Sequence, residues 1–156
     1  MPTLYVLVGV PGSGKSSWVA NQMFDWNRTV VASTDNYVEQ VAKSQGKTYS
    51  EVFKSAMPTA IKHMTKTVND AVKNNYDIIW DQTSTSIESR VKKLRMVPDN
   101  YRKIAVVFPT PDSEEHQRRL ANRPGKVIPT SVIDQMQSSM VTPTTAEGFD
   151  EVRFAF

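Results

Sequence analysis

The sequence predicts a three-layer α/β fold built on a parallel sheet, and three observations predict it. Apolar runs of strand length recur along the 156 residues, and stretches with helical spacing separate them. Strands alternating with helices give a parallel sheet joined by right-handed crossovers. The first run is apolar almost throughout, as a strand covered on both faces must be. The length suits one domain with one core, so residues 1–156 read as a single unit with about five strands.

In chain order, Thr3–Val10 is the first strand. Lys15–Trp26 follows as a helix, with Trp18, Val19, Gln22 and Met23 spaced to make a partly apolar face. Thr29–Ser33 is a short second strand that ends in the helix-start residues Thr34, Asp35 and Asn36. A short helix over Tyr37–Ala42 breaks at Gln45-Gly46-Lys47. From Tyr49 to about Asn74 the pattern is helical, bent or restarted at Pro58, with Ile61, Met64, Val68, Ala71 and Val72 on one stripe. Tyr76–Asp81 is the third strand. Ile87–Met96 is a helix with Ile87, Val91 and Leu94 inward and Arg90, Lys92, Lys93 and Arg95 on a solvated face. Arg102–Pro109 is the fourth strand and Asp112–Ala121 a charged helix. The polar loop Asn122–Lys126 precedes a helix over Pro129–Met140, opened by its proline. Glu151–Phe156 is the last strand.

Composition narrows the function class. Apolar and charged contents of 39% and 22% are those of an ordinary soluble protein. The absence of cysteine excludes disulfides and thiolate metal sites, and favours a reducing compartment. No apolar stretch has membrane-spanning length, and a strand beginning at once leaves no room for a signal peptide. The expected location is therefore cytoplasmic. A net charge of +3 permits a nucleic-acid partner without requiring one.

The chemistry starts at Gly9-Val-Pro-Gly-Ser-Gly-Lys15-Ser16, which fits G-x-x-x-x-G-K-[ST] directly after the first strand. A phosphate-binding loop sits there, between a buried strand and a helix N-terminus. Glycines let backbone N–H groups turn toward the phosphates. Lys15 can reach the β- and γ-phosphates, and the Ser16 hydroxyl can ligate Mg²⁺. Gly12, Ser13, Gly14, Lys15, Ser16 and Ser17 form the expected nucleotide cradle.

Ligands of open α/β sheets sit beyond the carboxyl ends of the strands. Asp35 follows the second strand, and a carboxylate there could accept the proton of an attacking hydroxyl; it would equally suit a helix N-cap. Asp81 follows the third strand, where it could hold Mg²⁺ or serve as an ordinary turn aspartate. Thr34, Gln82 and Thr83 lie on the acceptor side. Arg118, Arg119, Arg123 and Lys126 cluster around a loop suited to a lid over about 119–128. Arg123 fits the developing γ-phosphate charge, and Arg118 reads as a solvated helix end. His63 and His116 read as surface or capping residues, and Met57, Met64, Met96, Met136 and Met140 as gap-filling core.

Taken together these residues resemble the polynucleotide kinase family of small P-loop phosphotransferases. The likeness is strongest to phage polynucleotide 5′-kinases and to the kinase domain of eukaryotic end-repair enzymes. It rests on G-V-P-G-S-G-K-S-S-W at Gly9–Trp18, S-T-D-N-Y at Ser33–Tyr37, W-D-Q-T-S at Trp80–Ser84 and R-L-A-N-R-P-G-K-V-I-P at Arg119–Pro129. P-T-T-A-E-G-F at Pro143–Phe149 adds to it. The resemblance implies a P-loop kinase fold with a short lid, and ATP and Mg²⁺ held by Lys15 and Ser16. It implies Asp35 as general base, Arg123 as lid arginine, and a nucleic acid with a 5′-hydroxyl end as acceptor. Two departures matter. Phage 5′-kinases carry arginines directly before the catalytic aspartate and three residues after it, where this chain has Thr34 and Val38. The same chemistry on hydroxymethyl-base DNA, a nucleoside or a small molecule therefore stays open, as does a nucleotide-binding ATPase module.

Overall fold

A computed structural model describes residues 1–123 and 125–156; Pro124, inside the expected lid, lies outside the described residues. The sheet consists of β1 (Thr3–Val8), β2 (Thr29–Ala32), β3 (Asp77–Trp80), β4 (Arg102–Val107) and β5 (Glu151–Phe154). Its order is β2-β3-β1-β4-β5, and every pairing is parallel. Tyr5 of β1 lies opposite Ile79 of β3 and Ile104 of β4. Six α-helices are found among the described residues: α1 (Lys15–Asn21), α2 (Thr34–Gln45), α3 (Tyr49–Lys73), α4 (Ile87–Arg95), α5 (Ser113–Ala121) and α6 (Thr130–Ser139).

Strand side chains alternate between faces, which sorts β1 into two sets. Leu4, Val6 and Val8 join Ile78, Trp80 and Ala105 beneath Met64, Val68 and Ala71 of α3 and Leu94 of α4. Leu7 joins Ile79, Ile104, Val106 and Phe108 on the other face, with Trp18 and Val19 of α1. Helices on both faces make the three layers. Val38 and Ala42 of α2 pack with Val52, Ala56 and Ala60 of α3 in a third cluster.

Several boundaries differ from expectation for local reasons. Helix α1 stops at Asn21, not Trp26, because Gln22 is already extended and a turn forms where Arg28 N donates to Asp25 O at 2.9 Å. Met23 is consequently fully exposed, and Phe24 takes the apolar role, with its ring 5.3 Å from Tyr5. Helix α2 begins three residues early, because Ser33 caps it by accepting from Asn36 N at 3.3 Å. Helix α3 runs unbroken for 25 residues through Pro58. The missing N–H leaves only the carbonyl of Lys54, at an exposed position where water can satisfy it. Ile61 and Ile87, expected inward, are about half exposed.

The solvated cationic face expected on α4 is corrected most sharply. Arg90 is fully buried and Lys93 nearly so. Arg90 donates to Glu147 through Nε at 2.7 Å and Nη2 at 3.1 Å, and to Ser84 O through Nη1 at 3.0 Å. Glu147 lies in a 3₁₀ turn, Thr145–Glu147, which brings the partner carboxylate to this helix. His116 is also buried rather than on the surface.

Candidate active site

The parallel sheet delivers the ends of β1, β2 and β3 to one edge, and the expected site residues follow them there. After β1, Gly12 and Gly14 take φ values of 79° and 99°. These are left-handed conformations that a side chain disfavours. A Cβ at Gly12 would also stand 3.2 Å from His116 Cδ2 of α5. Lys15 folds back on this loop, donating to Gly9 O at 2.9 Å and Val10 O at 3.0 Å. Burial lowers its pKa to about 8, against the pull of Asp81. Gly12, Gly14, Lys15, Ser16 and Ser17 border a cleft of about 1210 Å³. Ser13 is buried beneath the loop, with its N–H bonded to Val10 O at 3.2 Å.

After β2, Thr34 and Asp35 border the same cleft. Since Ser33 supplies the N-cap, the Asp35 carboxylate is released from capping and lies in the first turn of α2. Tyr49 OH donates to its Oδ1 at 2.6 Å, and Lys126 Nζ to its Oδ2 at 2.7 Å. Burial pushes the carboxyl up, but these two hydrogen bonds and the positive charges of Lys126 and Arg123 together hold it below the usual carboxylate range. Tyr49 itself is pushed up, by burial and by the Asp35 charge.

After β3, Asp81, Gln82 and Thr83 complete the edge. Burial raises Asp81, opposed by the Lys15 ammonium. Gln82 is oriented by Trp80 Nε1, which donates to its Oε1 at 3.2 Å. Thr83 O accepts from Gly9 N at 2.9 Å and so ties this loop to the phosphate loop. Arg119 of α5 and Arg123, just beyond that helix, also border the cleft. Arg119 Nη1 donates to Gly12 O at 3.2 Å while its Nε pairs with Glu115 at 2.8 Å.

Three contributors were not legible as such. Tyr49 reads only as a helix start, yet its hydroxyl meets Asp35 from fourteen residues away. Lys126 could be placed in a cationic cluster but not on the carboxylate. His116 Nε2 donates to Pro11 O at 2.7 Å, and its Nδ1 accepts from Gln137 Nε2 at 3.2 Å, so it links α5 and α6 to the phosphate loop. No periodicity signals such a contact.

The donor set fits a hard cation. Ser16 and Asp81 offer oxygen ligands on the cleft, as Mg²⁺ prefers. Among the described residues no group of three or more His, Cys, Asp or Glu could hold a metal alone. A Mg²⁺ here would complete its shell with phosphate oxygens and water, as is usual in phosphoryl transfer.

The family model described as an AAA domain (AAA_33) matches residues 4–143. This chain belongs to the AAA domain family. Within it, phosphate loop, sheet order and helical layers follow the P-loop kinase fold. A chain of the Pnkp1/Rnl/Hen1 RNA repair complex superposes with a TM-score of 0.67 at 24% identity, over 88% of this AAA domain chain and 43% of that chain. A gluconokinase from Sinorhizobium meliloti 1021 superposes with a TM-score of 0.55 at 16% identity, over 98% and 81%. These two likenesses concern the fold. The mouse (Mus musculus) heterogeneous nuclear ribonucleoprotein U-like protein 2 is 25% identical over 158 aligned positions. They take in 96% of this AAA domain chain but only 21% of that relative's length. Among the described residues no helix is long and apolar enough to cross a membrane.

Proposed function

We propose that this AAA domain chain is a single-unit, ATP-dependent kinase that transfers the γ-phosphate to a hydroxyl of a nucleic acid, most simply the 5′-OH of DNA or RNA. The observation that carries the reading is Asp35. Its carboxylate stands on the cleft that the phosphate loop borders and is not consumed by capping α2. Asp35 accepts the proton of the acceptor hydroxyl as that oxygen attacks the γ-phosphorus. The bond to the β–γ bridging oxygen breaks, and ADP leaves with that electron pair. Lys15, Arg119 and Arg123 bind the phosphates, and Arg123 meets the charge that spreads over the γ-phosphate oxygens. Mg²⁺ held by Ser16 and Asp81 would neutralise phosphate charge when bound.

The cleft volume, about 1210 Å³, exceeds the roughly 300–1,000 Å³ of a single-ligand pocket and leaves room for an acceptor beside the nucleotide. The acceptor wall is aromatic: Tyr49 and Phe53 are one helical turn apart with ring centroids 5.6 Å apart, and both border the cleft. The exposed Phe53 ring, beside the half-buried Tyr49, suits an unstacked nucleobase.

A second reading keeps the mechanism and changes the acceptor to hydroxymethyl-base DNA, a nucleoside or a small molecule. What favours it is the position three residues after Asp35. Val38 is fully buried between α2 and α3, and the next residue, Glu39, borders the cleft with a negative charge. Neither of these two positions offers a cation to a phosphate next to a 5′-hydroxyl. The test presents γ-labelled ATP with 5′-hydroxyl single strands, nicked duplexes, RNA, hydroxymethyl-base DNA and free nucleosides. Label at 5′ ends supports the first reading; label only on bases or on small molecules replaces it with the second. Phosphate released to water with no acceptor labelled leaves the ATPase alternative.

A further inference from the structure

Lys126 occupies a position that the phosphate-loop chemistry does not require. Its side chain is 7% exposed, its Nζ lies 2.7 Å from Asp35 Oδ2, and it stands 4.4 Å above the Tyr49 ring. The backbone around it is docked closely on the start of α3. Ser50 N donates to Gly125 O at 3.0 Å, and Val127 N donates to Ser50 Oγ at 2.9 Å. Gly125 has φ of 72°, and a Cβ there would stand 2.8 Å from Thr48 Cβ, so position 125 admits no side chain. The ammonium is thus carried on a backbone docked against α3, and its own side-chain torsions can move it.

Resting on the kinase reading, the position of the γ-phosphate relative to Lys126 follows from bond lengths. A general base lies about 2.6–3.2 Å from the acceptor oxygen. That oxygen lies about 3–3.5 Å from the phosphorus it attacks. The γ-phosphorus therefore arrives within roughly 6 Å of the Asp35 carboxylate, while Lys126 Nζ is already hydrogen-bonded to that carboxylate. A long, flexible lysine side chain spans such a distance by changing rotamers.

We infer that Lys126 is an exchanging cation, alternating between the Asp35 carboxylate, where the structure shows it, and the γ-phosphate of a bound nucleoside triphosphate. The exchange couples the two halves of the site. A triphosphate draws the ammonium away and hands the acceptor hydroxyl a carboxylate with Oδ2 free. A diphosphate has no γ-oxygens to draw it, so Asp35 stays covered and the base is withheld when there is nothing to transfer. Lys126 then touches the transferred group, which makes it a catalytic residue beside Arg123.

The measurement is nucleotide affinity by titration calorimetry, using the non-hydrolysable triphosphate AMP-PNP and ADP with the wild-type chain, Lys126→Met and Lys126→Arg. Lys126→Met should lower the AMP-PNP-to-ADP affinity ratio about tenfold while ADP affinity stays within about twofold. Lys126→Arg, which keeps the charge, should hold the ratio near wild type. An unchanged ratio in Lys126→Met overturns the inference, and so does an equal loss for both nucleotides, the mark of a purely structural role. Thermal melting separates a folding failure, with Lys126→Gln as the replacement variant. No acceptor enters this titration, so its failure is distinct from that of the kinase reading, which the labelling panel decides. A wild-type chain that binds neither nucleotide overturns both.

Discussion

Replacing Arg90 by methionine tests how the acceptor-side loop is held. The guanidinium is fully buried, and the Glu147 side chain is 7% exposed. Arg90→Met removes the two bonds to Glu147 and the one to Ser84 O. The Glu147 carboxylate is left with one donor, Thr144 N at 2.9 Å. One-sided removal of a buried partner costs about 3–5 kcal/mol. The surviving bond to Thr144 and the slight exposure of Glu147 place this case near the lower bound, about 3 kcal/mol. Glu147→Leu removes the carboxylate and strands the cation instead, at a similar cost. The double variant Arg90→Met/Glu147→Leu removes both charges, and loses about 1 kcal/mol each for the Thr144 and Ser84 bonds. Its total should fall below the sum of the two single costs by about 3 kcal/mol or more. Urea unfolding with equal m-values is the assay. A cost for Arg90→Met below about 1 kcal/mol, or strict additivity in the double variant, would refute the buried-pair argument.

Lys93 makes the opposite prediction. Burial lowers it from 10.5 to about 8, so between those values the unfolded chain binds a proton that the folded chain does not. The penalty is full below about pH 8 and fades as pH rises toward 10.5. Lys93→Met should therefore stabilise at neutral pH by up to about 3 kcal/mol, less the worth of the Ser89 bond. The gain should shrink near pH 10; equal urea midpoint shifts at both pH values would contradict this. Tyr49→Phe removes a donor from Asp35 and should move the acidic limb of kcat/KM to higher pH, and an unmoved limb would take Tyr49 out of the site. Lys15→Met should abolish label transfer from γ-labelled ATP, whereas near-wild-type transfer would sink the phosphate-loop assignment.

The centre of the sheet was legible because β1, β3 and most of β4 are short runs buried on both faces. Helix ends were less so. Val19 and Met23 share a helical spacing, but α1 ends at Asn21, before Met23 could face inward. The positions of Asp35 and Asp81 on one sheet edge follow from strand order alone. What Asp35 touches does not: Tyr49 and Lys126 reach it from α3 and from the segment between α5 and α6, through contacts separated by 14 and 91 residues. Arg90 misled for the same reason. A cation opposite an apolar stripe reads as solvated unless its partner is visible, and Glu147 lies 57 residues away.

Asp35→Asn tests the proton-accepting role of Asp35 most directly. The variant keeps the side-chain volume and removes the proton acceptor. Label transfer from γ-labelled ATP to the acceptor found in the panel should fall about a hundredfold or more in kcat. AMP-PNP affinity should be kept or tightened, since Lys126 loses its carboxylate partner. Transfer within about twofold of wild type would contradict the account, because the hydroxyl proton would then be leaving by another route.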